Sequence, residues 1–450
     1  MAMGRRKAER QEALFVMAAD LPTSAGHPFY VALNRLLAEV GFDRWIEERC
    51  RQYYQQVEKR GQPSIPPGVY FRMLLIGYFE GIDSQRGIAW RCADSLSLRE
   101  FLGVALDERT PDHSTLTNTR KRLPSQVFDE VFQFVLRIAL EKNLLSGKTV
   151  GVDSTTLEAN AAMKSIVRRD TGEDWKEYVT RLMKEEGVVA ADAQPTDEEV
   201  RRYDRTRKNK KVSNEEWVSE TDPESRITQM KDGRTHLAYK AEHVVDLESD
   251  LVLGAAIYQA DKGDARTLVD SVMEAEGNLK EAGSDTGIDE VAADKGYHAA
   301  ATLKECETWN FRPYIPEPKR PHGLKWSDKP ADHQRCVYNN RRRVLRVKSK
   351  RLQRLRSEHC ERSFAHVCET GGMRRTWLCG LENVTKRYRI AVAAHNLGRI
   401  LRKLLGTGKP RTLQGGADEC ALAPLVGAVL IDLWRSGCGI LPTPPRAHAA

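Results

Sequence analysis

The stretch Arg341–Thr370 reads RRRVLRVKSKRLQRLRSEHCERSFAHVCET and contains a dense run of basic residues. Between its first residue and Arg362, ten positions are Lys or Arg, and only Glu358 and Glu361 are acidic. No Gly or Pro interrupts the segment. The pattern therefore predicts one long and very basic helix.

Apolar residues set the expected orientation of Glu361 on this helix. Phe364, Ala365 and Cys368 follow it by three, four and seven residues, which predicts that Glu361 shares their inward face. A charged group directed inward is costly unless it is paired or holds a metal ion. Glu361 is therefore a candidate metal ligand, and an ion pair with a neighbouring arginine is the alternative.

The whole chain has the composition of a globular protein with two or three domains. Its 450 residues are 40% hydrophobic, and 71 basic against 63 acidic residues give a net charge of +8. The basic residues cluster at Arg201–Lys211 and at Arg341–Arg362, as in proteins that bind a polyanion. We expect a nucleic acid as partner; the alternative is that each run is only a solvated helix face.

Cysteine use and hydropathy predict a soluble, intracellular protein. The nine cysteines are odd in number and irregularly spaced, which favours a reducing compartment over a disulfide framework. Cys360 and Cys368 lack the spacing of a zinc site. Met1–Gln11 does not have the pattern of a signal peptide, and the apolar window Ala421–Trp434 is too short to span a bilayer. We expect a cytoplasmic location and no membrane contact.

Residues 1–145 predict an all-helical N-terminal domain. Helical periodicity covers four stretches: Phe29–Glu39, the segment from Pro67 to Phe79, Thr110–Arg122 and Ser125–Leu145. The third ends in Arg120, Lys121 and Arg122, which are candidates for contacts with a DNA end in a helix-turn-helix arrangement. A bundle for self-association explains the same pattern.

Residues 146–405 predict a mixed α/β domain with a five-stranded sheet flanked by helices. Five stretches have the composition of strands: Lys148–Leu157, His236–Glu248, Leu251–Ala260, Ile288–Asp294 and Phe311–Ile315. Helical patterns cover Asp264–Leu279, Ala300–Trp309 and Asn383–Leu405. Residues 162–226 form a charged insertion, and the Pro-, Gly- and Ala-rich residues 406–450 predict a loosely ordered tail.

Three carboxylates of this domain have positions that allow them to converge. Asp153 lies on the first strand, Asp294 ends the fourth strand, and Glu361 lies on the basic helix. Clustered acids repel one another, but divalent cations turn such a cluster into a binding site for two ions that activate phosphodiester chemistry. The alternative for each aspartate is a turn-forming role at the end of a strand.

Six segments taken together resemble the DDE transposases of bacterial insertion sequences. They are TPDHSTLTNTRKRL, GVDSTTLEANA, TDPESR, AADKGYH, ERSFAHVCETGGMRR and AAHNLGRILRKL. The resemblance covers about residues 25–405 and implies a ribonuclease-H-like core behind a helical N-terminal module. It implies that Asp153, Asp294 and Glu361 are the catalytic triad. It also implies two Mg²⁺ (or Mn²⁺) ions, hydrolytic nicking at terminal inverted repeats, and attack of the freed 3′-hydroxyl on target DNA.

The expected partner is therefore double-stranded DNA at the bacterial nucleoid, bound by a homodimer because both ends of an element must be cut.

Many relatives place a Tyr and an Arg seven and four residues before the Glu and a Lys seven after it; this chain has Arg354, Ser357 and Cys368 there. Counted from Glu358 instead, the Arg position is matched by Arg354, so Glu358 is the second candidate for the third acid. A nuclease of the same fold and an inactive DNA-binding descendant are the alternative functions.

Several further residues are candidate contacts near this site. Basic residues that we expect to touch DNA are Lys295, Arg351, Arg354, Arg374 and Arg375. Tyr297 follows Asp294 closely and is either a DNA contact or a packed side chain. Lys240 and His243 lie on the second strand, near the predicted acids.

Overall fold

The structure is a computed structural model that describes residues 26–54, 64–208, 213–230, 233–319, 326–327 and 330–413. The predictions for Met1–Gln11, for the end of the basic cluster Arg201–Lys211, for Ala421–Trp434 and for the tail beyond residue 413 lie outside these ranges.

The described part of the first 145 residues is helical, as predicted. Its helices are α1 (Pro28–Glu39), α2 (Phe42–Cys50), α3 (Pro67–Glu80), α4 (Gln85–Asp94), α5 (Leu96–Leu102), α6 (His113–Arg122) and α7 (Ser125–Glu141). Local sequence explains where they begin, because Pro67 lies in the first turn of α3 and the Asp112 carboxylate accepts the backbone N–H groups of Ser114 and Thr115 at the start of α6.

The remainder is a mixed α/β structure. The strands are β1 (Thr149–Glu158), β2 (Ile166–Arg168), β3 (Trp217–Ser219), β4 (Arg226–Gln229), β5 (Thr235–Asp246), β6 (Val252–Gln259), β7 (Glu290–Ala293) and β8 (Arg312–Tyr314). The helices are α8 (Trp175–Glu185), α9 (Asp197–Thr206), α10 (Asp264–Glu281), α11 (Ala300–Thr308), α12 (Ala331–Val344), α13 (Val347–Phe364) and α14 (Leu381–Leu405).

The central sheet places β1 in its middle. β1 pairs antiparallel with β5 and parallel with β7, and β8 continues the sheet parallel to β7. β6 and β4 pair with different halves of the other edge of β5. The described sheet therefore has six strands rather than the predicted five, because β4 adds to the first residues of β5 at the end of the charged insertion.

The predicted charged insertion has its own small structure. β2 and β3 form a two-stranded antiparallel sheet, and α8 and α9 pack together through Val179, Met183 and Val200. Although the segment is strongly charged, it therefore forms short helices and strands, and its two helices share a small hydrophobic core.

The predicted single basic helix is wrong, because the chain turns between α12 and α13. Arg346 is extended at φ −80° and ψ 155°, and the exposed Leu345 and Val347 flank it. The side chain of Asn340 bonds both the N–H and the carbonyl of Ile315, which ties α12 to the chain just after β8. A π-helical turn, Ala365–Thr370, then follows α13.

α14 joins the helical module to the sheet. It packs against α3 and α7 on one side and against β6 on the other, so one continuous apolar core runs through both parts. The Asn396 side chain bonds the N–H and the carbonyl of Val252 and so anchors α14 at the start of β6. Among the described helices, none has the length and apolar character needed to cross a membrane.

Candidate active site

Parallel strand pairing brings two of the predicted acids side by side. The last register pair between β1 and β7 is Val152 with Ala293, and the next residues are Asp153 and Asp294. Neighbouring strands lie about 4.8 Å apart and residues in register point to the same face. The two aspartates therefore emerge together where β7 ends and β1 continues.

The Asp294 carboxylate is oriented by the turn that follows it. Its Oδ1 accepts the backbone N–H of Gly296 at 2.7 Å and so caps the short 3₁₀ turn Lys295–Tyr297. A Cβ atom on Gly296 would lie 3.0 Å from Asp294 Oδ1 and 3.2 Å from Asp264 Oδ2. A side chain at this position would therefore crowd both carboxylates.

α13 crosses the face of the sheet from which Asp153 projects. Arg356 Nη1 donates to Asp153 Oδ2 at 2.9 Å, and the exposed fractions of the two side chains are 13% and 26%. The Asp153 Oδ1 accepts the N–H of Ser154 at 2.8 Å. Gly151 lies below the helix, where a Cβ would meet Arg356 Cγ at 3.0 Å. A guanidinium thus supplies the positive charge beside Asp153.

The third acid does not point inward. Glu361 is exposed, and its Oε1 accepts the hydroxyl of Ser357 at 2.8 Å, so the predicted inward orientation is wrong. The buried stripe of α13 instead runs through Leu352, Cys360 and Ser363. Adjacent helical positions are about 100° apart, which turns Glu361 away from the stripe that contains Cys360.

A row of side chains on α13 leads from the end of β7 to Glu361. Gln353, Ser357 and Glu361 are spaced by four residues and form one row. The Gln353 amide donates to the carbonyl of Ala293, the residue before Asp294, at 3.1 Å. Eight residues of helix advance about 12 Å, which spans two or three strands of the sheet.

Glu358, the second candidate for the third acid, is held on another side of the helix. It pairs with Arg362 four residues later, and Arg362 also bonds Asp250 in the turn between β5 and β6. Because β5 runs antiparallel to β1 and Asp246 pairs with Val150, this turn lies beside the start of β1, three positions before Asp153. Glu358 is thus bound by a guanidinium, whereas Glu361 is bound by the hydroxyl of Ser357.

The three predicted acids do not form a closed ligand set in this conformation. Throughout the residues that the structure describes, no group of three or more His, Cys, Asp or Glu side chains has the arrangement of a metal site. The donor chemistry fits Mg²⁺, which binds carboxylate oxygens. Asp153 and Asp294 directly follow the last register pair of β1 and β7, and the Arg356 guanidinium already places a positive charge beside Asp153.

The opposite face of the sheet holds a buried polar network that the sequence analysis missed. Lys240 Nζ lies 2.9 Å from Glu242 Oε2 and 2.7 Å from Asp264 Oδ1, and Ser154 Oγ donates to Asp264 at 3.0 Å. Burial raises the pKa of Glu242, although Lys240 opposes the shift. Lys240 and Glu242, two opposite charges at alternate positions of one strand, were the available signal.

Tyr297 belongs to this network rather than to a DNA surface. It is fully buried, and its hydroxyl donates to Glu242 Oε2 at 3.1 Å. The turn that carries Asp294 is therefore anchored through Tyr297 to β5. Asp264, at the first turn of α10, gave no sequence signal because an acid there is an ordinary helix-capping residue.

His243 is a packed side chain rather than a catalytic one. Its ring nitrogens lie 2.8 Å from Ser363 Oγ and 2.8 Å from Tyr388 Oη, and its ring stacks on Phe364. Burial lowers the pKa of His243 to about 3, so the ring is neutral at physiological pH. It therefore links α13 and α14 to β5, at the residue that pairs with Asp153 between β1 and β5.

Most of the predicted DNA contacts are exposed. Exposed basic side chains are Lys121, Arg122, Lys295, Arg351, Arg354 and Arg375. Arg120 departs from the prediction, because it is buried and donates to Asn383 Oδ1 at 3.3 Å. Arg374 also departs from it, because its guanidinium is bound by Glu369, Thr155 and the carbonyl of Thr156.

Comparison with known families agrees with this architecture. Residues 21–122 match the family described as Transposase domain (DUF772), and residues 152–397 match the family described as Transposase DDE domain. The second match covers more than half of the chain and includes Asp153, Asp294 and Glu361. No curated protein matches the chain, and no solved structure matches it.

Proposed function

Because the chain belongs to the DDE transposase family, we propose that it cleaves DNA at the terminal inverted repeats of an insertion sequence and joins the freed 3′-hydroxyl to target DNA. A role in transposition, DNA as partner and dependence on divalent metal are general to the family. The observation that supports the proposal is that Asp153 and Asp294 directly follow the last register pair of β1 and β7, and that Arg356 of α13 bonds Asp153.

We assign the catalytic and metal-binding roles to these three acids. Asp153 and Asp294 present carboxylate oxygens from neighbouring strands, and Glu361 completes the set from the helix. Two bound Mg²⁺ or Mn²⁺ ions would activate the attacking water or 3′-hydroxyl and stabilise the leaving oxygen. Arg356 holds Asp153 in place and neutralises it before the metal binds, and Ser357 holds Glu361.

DNA approaches this edge of the sheet over exposed basic residues. Lys295 follows Asp294 directly, and Arg351 and Arg354 lie on α13, so these side chains are our candidates for phosphate contacts. Lys121 and Arg122 at the end of α6, together with Arg375, are candidates for contacts with a DNA end. We further propose a homodimer that acts on nucleoid DNA in the cytoplasm, since two ends must be processed together.

The deciding experiment uses the full chain and DNA that carries the terminal repeats of its own element. With Mg²⁺ or Mn²⁺ the protein should nick these ends and form joined products, and Asp153→Ala should remove both activities. Asp289→Ala is the matched control, since Asp289 lies before β7 and outside the proposed site. Full activity of Asp153→Ala would refute the assignment.

The same assay separates the two other functions. Cleavage without joined products on these ends would favour a nuclease of the same fold. Metal-independent DNA binding without cleavage would favour an inactive DNA-binding protein.

A further inference from the structure

A cavity near the turn between β5 and β6 is lined by basic side chains and histidines. Its volume of about 260 Å³ is far above the roughly 15 Å³ that one water needs. Its polar lining consists of Tyr78, His366, His395, Arg399, Arg402 and Lys409. No residue that lines it is acidic, although three are cationic.

His395 supplies a buried polar atom that lacks a partner. Only 3% of the residue is exposed, and its Nδ1 lies 3.3 Å from Tyr78 Oη. Its Nε2 is buried and has no hydrogen-bond partner within the described residues. Buried polar atoms are almost always satisfied, so an unpaired nitrogen in a cavity wall indicates a ligand or ordered water.

Lys409 and His366 are arranged as donors toward the same cavity. Lys409 Nζ lies 2.7 Å from His366 Nδ1, and an ammonium group can only donate. The His366 Nδ1 therefore accepts, and its Nε2 carries the proton. Burial lowers the pKa of Lys409 to about 8, helped by the positive charges of Arg402, Arg411 and Arg399.

Backbone packing holds Lys409 in this position. A Cβ on Gly398 of α14 would lie 2.7 Å from the carbonyl oxygen of Gly408. Any larger residue at position 398 would push the loop away, so the two glycines let Lys409 lie directly over the helix that carries His395. The donors of the cavity are thus fixed relative to one another.

The positive charge of this cavity is only partly neutralised. Asp250 bonds Arg399, but it also bonds Arg362 from α13. In the part of the chain that the structure describes, Arg402 has no carboxylate partner. Like charges held together in a partly buried cavity repel one another, and an anion relieves that cost.

We infer that this cavity binds a phosphate group through Lys409, Arg399, Arg402 and the two histidine rings. Charged N–H donors converging on one space without a carboxylate in its lining match the acceptor oxygens of a phosphate. The group can come from a DNA backbone or from free phosphate. The lining of this cavity does not include Asp153, Asp294 or Glu361, so the site is distinct from the proposed catalytic centre.

Calorimetry with the full chain in EDTA tests this inference without metal chemistry. Inorganic phosphate should bind one site per chain at fixed ionic strength, and chloride should not. Lys409→Met and Arg402→Gln should each weaken phosphate binding about tenfold, on the scale of one lost charge-assisted hydrogen bond. The exposed Lys164→Met, outside the cavity lining, is the matched control and should bind phosphate unchanged, with urea midpoints confirming that all three variants are folded.

Duplex DNA distinguishes the two sources of the phosphate. If the site takes a backbone phosphate, Lys409→Met should lower the slope of log K against log salt concentration by about 1, and free phosphate should compete with DNA. An unchanged slope with lost phosphate binding would assign the site to free phosphate. Equal effects of phosphate and chloride, or unaltered phosphate binding by Lys409→Met, would show a water-filled cavity only and overturn the inference.

Discussion

The two ends of the central sheet gather side chains of opposite charge. Where β7 stops, Asp153 and Asp294 follow the last register pair of two neighbouring strands, and Arg356 pairs with Asp153. At the turn between β5 and β6, Arg362 and Arg399 converge on the single carboxylate of Asp250. We therefore expect the first end, with its excess of carboxylates, to bind cations. We expect the second end, with its excess of cationic side chains, to bind anions.

α13 contributes side chains to both ends of the sheet, and the two sets lie on different sides of the helix. The row Gln353, Ser357 and Glu361 follows the aspartate end, while Glu358 and Arg362 follow the Asp250 end. Glu358 and Glu361 thus have different partners although they are three residues apart. We therefore propose that position around the helix, rather than distance along the chain, decides which of them can take part in catalysis.

The sharpest test of this comparison exchanges the two glutamates for their amides. Glu361→Gln should slow metal-dependent nicking of terminal-repeat DNA by about a hundredfold or more, since a ligand charge is lost where the nucleophile is activated. Glu358→Gln should stay within a few fold of the unaltered protein. Single-turnover nicking rates measure both, and equal damage from the two substitutions would show that the flank assignment is incorrect.

A smaller effect is expected from crowding α13 where it crosses β1. Gly151→Ala places a Cβ 2.8 Å from Leu247 Cδ2 and 3.0 Å from Arg356 Cγ, which should cost about 1–3 kcal/mol of unfolding free energy. Gly277→Ala in α10 meets nothing within 4 Å and should stabilise by up to about 1 kcal/mol. Urea unfolding compares them, and equal stability of the two variants would contradict a close helix–sheet approach.

The Arg356–Asp153 pair predicts a change in metal affinity. Arg356→Gln removes the competing cation, so Mn²⁺ should bind severalfold more tightly, equivalent to about 1 kcal/mol for a partly exposed pair. Arg354→Gln, on an exposed side of the same helix, should have little effect. Calorimetric titration with Mn²⁺ measures this, and a weaker Mn²⁺ affinity in Arg356→Gln would assign Arg356 a supporting role in the metal site.

The smallest expected effect is a pH dependence at the cationic end. Burial, followed by the charges of His366 and Arg399, lowers the pKa of His395 well below 6.5. Below pH 6.5, His395 is protonated in the unfolded chain but stays neutral in the folded chain. The free energy of unfolding should therefore fall as the pH drops below 6.5. Between pH 7 and 5.5 this amounts to about 1 kcal/mol of unfolding free energy.

His395→Gln should remove its share of about 1 kcal/mol from this pH dependence, while His243 and His366, whose pKa values burial also lowers, keep theirs. His113→Gln on α6 is the control and should leave the profile unchanged. Urea unfolding at several pH values gives the comparison. An unchanged slope in His395→Gln would mean that another group controls the stability of this end.

Local patterns predicted the elements well because their causes are local. The cap at Asp112, Pro67 in the first turn of α3 and the β-branched run of β1 each act within a few residues. The break between α12 and α13 was missed for the opposite reason. No breaker residue marks Leu345–Arg346, and the tether that redirects the chain is the distant contact between Asn340 and Ile315.

The candidate site also has one part that local patterns predicted and one part that they did not. The strand patterns placed Asp153 and Asp294 at positions that parallel pairing then joined. The orientation of Glu361 was predicted wrongly because the three apolar residues after it form only part of the buried stripe. Leu352, Cys360 and Ser363, which contact the sheet, set the rotation of the helix.

By itself, the sequence determined the composition of this protein: which segments are strands or helices, which positions carry acids, and where basic residues accumulate. Those properties follow from side-chain chemistry and from periodicities of a few residues. Only the tertiary structure decided which charges meet, because a strand register and a helix rotation are set by packing between segments more than a hundred residues apart. The acid end and the cationic end of one sheet arise from that packing.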